Sequence, residues 1–377
     1  MRLTCLFISL LYNFCQAQRF GLSNVVSLTN GIIPNILHAL SFDYDNVVYS
    51  PFGLSTSLAI VFEGVGTKLA EDMIKTLKLD NPNPSVAKQV LRTGFKSLLE
   101  EFEKEKHAQD VAGSYNDAHL YSTTKLVPDY QSVLENFYKV SIVHNSTSTN
   151  SSEEELQLEI HTDTGVMSHW KDFDKLAVYT YLTHHPSAPF LSEKGVTIEV
   201  PMIPQVGTYR AGYIKRLKSQ AVELHLETKR ATLFLLMPDE RIKIRDVLEK
   251  MLKENIGSLP ASLPLIETEV AFPQFVILNN NLDLSKTLQQ LGLKDIFETK
   301  SGPVKSIKQN AYFATSFVSV NSVGSTNTVL YKKMPKREKR QIQNTLVFNK
   351  PFIFFLLHKP TGIVLLAGLV RSPSQVP

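Results

Sequence analysis

The order of apolar and polar residues divides the chain into a helical first half and a strand-rich second half. Asn46 to Tyr49 reads as a short strand that meets Ser50-Pro51 and turns into a helix reaching Gly64, apolar on nearly every side. Ser50 suits the N-cap and Pro51 the first helical position, where its missing N–H costs nothing, and a helix without a polar face has to be buried. Apolar residues at three- and four-residue intervals predict further helices over Lys68–Leu79, Ser85–Lys104 and Asp129–Lys139. Beyond Val196 the period shortens. Val196–Val200, Ala221–Leu226 and Ala231–Leu236 read as strands around a helix from Arg241 to Lys253, and strands dominate from there, apart from a helical stretch at Asn281–Leu291. The most apolar runs, Phe352–Leu357 and Ile363–Val370, come last and are joined by His358-Lys359-Pro360-Thr361-Gly362. Together they approach the length of a membrane span, but the central Lys359 and Pro360 predict a buried hairpin instead.

The first residues have a different grammar. Arg2, the apolar run Leu3–Tyr12 and the small Ala17 form the three-part pattern of a secretory signal peptide, so residues 1–17 are expected to be removed on export. Both cysteines, Cys5 and Cys15, fall inside it. The remaining residues 18–377 are therefore expected to carry no disulfide and to be stabilised by size. Two N-x-S/T sequons, at Asn145 and Asn150, lie in a Ser/Thr/Asn-rich stretch and fit a glycosylated surface loop of a secreted protein.

Chemistry-bearing motifs are scarce. The chain has no G-x-S-x-G, H-E-x-x-H, G-x-x-x-x-G-K-[ST] or strand-preceded G-x-G-x-x-G, which predicts that it is not an enzyme. His184 and His185, neighbours without a third ligand at suitable spacing, predict surface residues and no metal site, and His161 and His169 do no better. Trp170 reads as core. A net charge of +4 is too small to predict a nucleic-acid or membrane-surface partner. That charge is concentrated: Lys332 to Gln341 carries six basic residues and one acid. Such a run suits trypsin-like proteases, whose primary pocket pairs a carboxylate with Arg or Lys, and Arg337-Glu338-Lys339-Arg340 also suits a furin-like processing protease with several acidic subsites. No cofactor is expected. Arg210, Lys215, Arg216 and Lys218 are the one cluster a glycosaminoglycan could use, and solvated surface is the stronger reading.

Phe348-Asn349-Lys350-Pro351-Phe352, followed by Phe354-Phe355, His358–Gly362 and Gly368, is similar to the C-terminal signature of the serpins. Asn46 to Gly64, with Ser50-Pro51, resembles the opening motif of that family, and Val200-Pro201-Met202, Leu235–Pro238, Phe272–Phe275 and Leu291–Phe297 match in the same order. The resemblance implies a single domain over 18–377 with a mixed α/β fold of the multi-domain α+β type, three β-sheets, about nine helices and an exposed reactive-centre loop over 324–341. It also implies a monomer that traps a serine protease: the protease acylates itself on the loop, which then enters the central sheet as an extra strand. Arg340-Gln341 is the expected reactive bond, with Arg337 as the alternative.

Gly324-Ser325 fits the hinge of such a loop, but Thr326–Tyr331 follows where an alanine-rich run is usual. If Ser325, Asn327, Val329 and Tyr331 turn inward on insertion, Asn327 and Tyr331 each cost on the order of 1–3 kcal/mol unless the body has adapted. Further departures are Gly53 in place of Ser, a shortened turn at Gly64–Thr67, the missing Asn and Trp of Leu176–Phe190, and Ala314-Thr315 in place of a His-Lys pair. All are expected near the point where the sheet opens. Two functions follow: a secreted suicide inhibitor of trypsin-like or furin-like proteases, or a non-inhibitory carrier, binding protein or protease substrate of the same fold.

Overall fold

A computed structural model describes residues 2–107, 114–144, 157–169, 187–226, 230–298, 302–315, 319–321 and 345–373. Sequence patterning assigned nothing to residues 18–45, yet the chain opens with helices α1 (Arg2–Gly31) and α2 (Ile33–Asp43). Ile32 between them keeps right-handed helical torsions, φ −80° and ψ −17°, so the pair forms one helix with a soft joint. The helical backbone continues through Ala17, where the signal peptide was expected to end. Val25, Leu28, Ile36, Leu37 and Leu40 bury one side of it.

That helix lies against α5 (Pro84–His107) at an unusually close crossing. A Cβ on Gly94 would meet the Gly21 carbonyl oxygen at 2.2 Å, and one on Gly21 would meet the Gly94 nitrogen at 2.8 Å. Backbone touches backbone, which only paired glycines permit.

The predicted strand and helix at Ser50 form as β1 (Asn46–Tyr49) and α3 (Pro51–Gly64). Ser50 Oγ accepts from the Gly53 N–H at 2.8 Å, completing the N-cap. Every residue from Pro51 to Glu63 is buried. Glu63 is the one acid among them, and burial without partners would cost several kcal/mol. Its carboxylate instead accepts from Arg92 Nε at 2.9 Å, Arg92 Nη2 at 2.7 Å and Tyr138 Oη at 2.8 Å. Burial, then the charge of Glu63, pushes the Tyr138 phenol well above its ordinary range. Lys88 closes the end of α3 by donating to the carbonyls of Glu63 and Val65. Helices α4 (Thr67–Leu77) and α6 (Pro128–Val133), the latter extended by a π turn at Leu134–Tyr138, complete the first half as predicted.

The final hairpin forms as β15 (Phe352–His358) and β16 (Ile363–Val370), buried along their whole lengths. They sit inside an eight-stranded sheet ordered β1, β16, β15, β9 (Ala231–Pro238), β8 (Ser219–His225), β7 (Met202–Ile214), β10 (Leu265–Pro273), β14 (Thr345–Val347). Opposite Phe354, a Cβ on Gly368 would meet that ring and the Val47 carbonyl at 2.5 Å, so no side chain fits. A second sheet is ordered β11 (Val276–Asp283), β12 (Val304–Thr315), β13 (Ser319–Asn321), β4 (Leu158–His169), β2 (Ser114–Ser122), β3 (Val140–His144). A small third sheet pairs β5 (Ala188–Leu191) with β6 (Thr197–Val200). The two large sheets are joined through phenylalanine: Phe313 of β12 stacks on Phe354 of β15 with centroids 4.5 Å apart, and Phe275 packs on both.

Two predicted helices are corrected. The one at Arg241–Lys253 shortens to α7 (Ile244–Met251), capped through Asp246. In Asn281–Leu291 the first residues belong to β11, and α8 (Ser285–Gln290) begins only after Asn281 takes a left-handed φ of 57° and Asp283 accepts from the Ser285 N–H. With α1 and α2 counted as one, the described residues hold seven helices where about nine were expected.

Gly94→Ala tests the helix crossing. Alanine gains about 1 kcal/mol of helix propensity, yet the backbone collision is expected to dominate and lower stability by about 2 kcal/mol net. Chemical denaturation followed by circular dichroism measures this, and an unchanged midpoint would mean that the helices separate freely.

Candidate functional site

The six-stranded sheet contains a seam. Strands β4 and β12 pair in parallel, with Cα partners from Leu158 and Val304 to Asp163 and Asn310, and then part company. β13 occupies the widening gap, antiparallel to both neighbours: Asn321 pairs with Ala314 of β12 and with Met167 of β4. A strand thus already stands at one end of a slot whose other end is closed. The chain between β13 and β14 contains every predicted loop residue.

Beneath the closed part, where β4 and β12 meet the start of α3, lies a buried polar cluster. Gln309 of β12 is 1% exposed. Its Oε1 accepts from the Ser50 N–H at 3.1 Å, while its Nε2 donates to the Ser50 carbonyl at 3.0 Å and to Thr162 Oγ1 of β4 at 3.1 Å. Ser50 Oγ donates to the Leu365 carbonyl of β16 at 2.9 Å and bonds Thr164 Oγ1 at 2.8 Å. The cluster also explains one departure from the family pattern. A Cβ on Gly53 would meet Thr162 Oγ1 at 2.8 Å, and Gln309 Nε2 and Thr164 Oγ1 at 3.0 Å. The space of the missing side chain is filled by the two threonines and the glutamine.

Of the remaining departures, Ala314-Thr315 does border the seam, at the end of β12 beside β13. Thr315 Oγ1 there accepts from the Phe275 N–H at 3.1 Å and donates to the Pro273 carbonyl at 3.3 Å. The Gly64–Thr67 turn does not border it: Gly64 ends α3, at the opposite end from Ser50, and packs on Tyr130. Of Leu176–Phe190, residues 176–186 lie outside the described residues, and Ala188–Phe190 lies in the separate β5–β6 hairpin.

Other predicted site residues divide in the same way. Phe348 and Phe352 of the signature are fully buried, the Asn349 carbonyl accepts from the Leu191 N–H, and Pro351 leads into β15. Ser50 and Pro51 stand at the polar cluster, Ser50 entering it directly. Gly324, Ser325, Asn327, Val329, Tyr331, Arg337, Arg340 and Gln341 lie outside the described residues, as do Asn145, Asn150, His184, His185 and Trp170. Among the described residues no group of three metal-ligating side chains occurs. Of the four cations considered for a polyanion, Arg210 faces Glu223 at 3.9 Å and Arg216 pairs with Glu254 at 2.6 Å, while Lys215 and Lys218 sit on the β7–β8 turn. Sequence reasoning missed Gln309, Thr162 and Thr164. Inward polar residues on a strand look like any others until the strand has a partner.

Comparison with known proteins places this geometry. The sequence profile of "Serpin (serine protease inhibitor)" matches residues 33–164 and 180–373. Leukocyte elastase inhibitor of Bos taurus is 26% identical over 363 residues, covering 87% of this chain and 93% of that protein. Alpha-1-antiproteinase S of Cavia porcellus is 23% identical over 357 residues, covering 88% and 85%. Among solved structures, serpin-12 of Manduca sexta superposes with a TM-score of 0.71 at 16% identity, covering 93% of this chain and 99% of that one. Human thyroxine-binding globulin, in complex with thyroxine, gives a TM-score of 0.75 at 15% identity, covering 94% and 100%. The prediction that the chain is not an enzyme is corrected: the relatives' names speak of inhibition, which does not show an absence of catalysis. With a profile matched along most of its length, and with the fold and sheet arrangement of its relatives, the chain belongs to the serpin family.

Proposed function

We propose that this serpin is a secreted inhibitor of trypsin-like or furin-like serine proteases, with Arg340-Gln341 as its reactive bond. The protease serine Oγ adds to the Arg340 carbonyl carbon, the Arg340–Gln341 C–N bond breaks, and Gln341 leaves as the protonated amine. Arg340 is then held as an ester on the protease. Water would hydrolyse that ester, so inhibition depends on the freed segment after Gly324 entering the sheet first. The observation that carries this reading is β13, standing between β4 and β12 and antiparallel to both. Reach is sufficient: running the length of β4 takes about 40 Å at about 3.3 Å per residue, and the chain from Asn321 to Arg340 exceeds it. The body has also adapted at the seam, where Gly53 makes room for Gln309 and the threonines.

A second reading, a carrier, is supported by a different part of the molecule. An open cavity of about 490 Å³ lies between α1 and the turn after α7, lined by Ser23, Ser27, Asn30, Leu252, Lys253 and Ile256. Mixed apolar, hydroxyl and charged lining suits a small amphipathic molecule. Thyroxine-binding globulin, which shares the fold, is described with a small molecule bound.

Mixing the protein from Gln18 onward with trypsin separates the two. The inhibitor reading expects a complex that survives boiling in detergent and disappears with Arg340→Ala. Clean cleavage without a complex would overturn it and leave the carrier.

Gln309→Leu tests the polar cluster itself. Removing the carboxamide strands the Ser50 N–H in a buried site, while the Ser50 carbonyl keeps the Leu54 N–H at 3.0 Å, so the uncut protein is expected to lose about 1–3 kcal/mol, read from its urea midpoint. An unchanged midpoint would show that the cluster does not hold the seam.

A further inference from the structure

The seam is bridged on its outer face as well, by charge. Glu159 stands on β4 and points away from the polar cluster, since its neighbours Leu158 and Ile160 are the buried residues of that strand. Its Oε1 lies 2.6 Å from Lys305 Nζ, and its Oε2 lies 3.9 Å from Lys308 Nζ, both lysines belonging to β12. His161 Nε2, on the same strand as Glu159, is 3.7 Å from Oε2 and packs edge-on against the Tyr121 ring of β2. One carboxylate therefore holds two cations across the line along which β4 and β12 must part. The Lys305 hydrogen bond holds the Glu159 carboxyl below the ordinary carboxylate range, against the effect of partial burial, and Lys308 and His161 add to the depression.

We propose that Glu159 is a clasp on the seam, a positioning residue that sets how readily β4 and β12 separate. The proposal builds on the loop-insertion reading above. An inserted strand adds a further spacing of about 4.8 Å between β4 and β12, which pulls Glu159 away from both lysines while leaving its contact with His161 within one strand. Backbone pairs along the seam are neutral and do not respond to ionic strength. The clasp does, because its groups are partly exposed and screened by salt.

Hydrogen exchange on the intact protein reads the clasp directly. In Glu159→Gln, amides of Ile160–Asp163 and Ile307–Asn310 are expected to exchange about threefold faster, the effect of an ion pair worth a fraction of a kcal/mol to one kcal/mol, while amides of β15 and β16 stay unchanged. Raising NaCl to a high concentration should accelerate the same amides in the natural protein and leave Glu159→Gln as it is. The charge swap Glu159→Lys with Lys305→Glu should restore part of the protection, since it rebuilds the 159–305 pair but sets Lys308 against a like charge. Unchanged exchange at the seam, or acceleration spread evenly over both sheets, would overturn the clasp. A parallel measurement nicks the loop with trypsin and follows the rise in melting temperature, which should come sooner in Glu159→Gln. A nicked protein that gains no stability would overturn the inhibitor reading, and the exchange data would still decide the clasp.

Discussion

Gln309 sits where β4, β12 and α3 meet, and a single carboxamide serves all three. A side chain with two donors and two acceptors is well suited to this place, because the Ser50 peptide offers one donor and one acceptor and Thr162 offers a hydroxyl. Every other feature of the slot is arranged around that fit. Gly53 gives up its side chain to make space, Ser50 reaches on to β16, and Thr164 takes the remaining hydroxyl contact. The cluster is buried, so each of its bonds is worth more than it would be in water, and each must be replaced if a strand passes between β4 and β12.

The molecule divides its stability unevenly in consequence. The hairpin of β15 and β16 is packed on both faces and tied to the other large sheet by Phe275, Phe313 and Phe354. Across the seam the balance is different: the buried Leu158, Ile160, Val304 and Ile307 share the two strands with parallel backbone pairing, a polar cluster below and an ion pair above. Polar contacts can be exchanged for equivalent ones with an arriving strand, whereas lost apolar packing cannot. Rigidity and a replaceable seam are thus assigned to different strands of one fold.

The strongest sequence signals were those with a local cause. Ser50-Pro51 fixed a helix start, the Pro-Thr-Gly turn fixed a hairpin, and the unbroken apolar runs on either side fixed its burial. The first long helix was not assigned from the sequence, although Val25, Leu28, Ile36, Leu37 and Leu40 keep helical spacing, because it continues from a segment that reads as a leader. β2 and β4 were hidden by their own chemistry. Asn116 and Asp117 interrupt β2, and Thr162, Asp163, Thr164 and Gly165 interrupt β4, so neither looks like a strand until its partners supply the ladder. Gly53 was legible only as a departure. Its reason, the bulk of Gln309 and Thr162, comes from residues more than one hundred positions away in sequence.

That distance bears on the loop. Thr326–Tyr331 looks unfavourable for insertion when judged against an alanine-rich hinge, because the usual hinge is matched to a slot with a different lining. Here the lining has changed too. Gly53 makes the floor beneath the seam locally smaller, while Gln309, Thr162 and Thr164 make it more polar than an apolar hinge would require. Gln309, Thr162 and Thr164 already bond to one another or to Ser50, so a threonine or asparagine arriving there is satisfied only by exchanging with those bonds, an exchange alanine cannot make. Under the loop-insertion reading proposed above, the polar loop would meet a polar slot, and the cost assigned to the loop from sequence alone would be partly offset there.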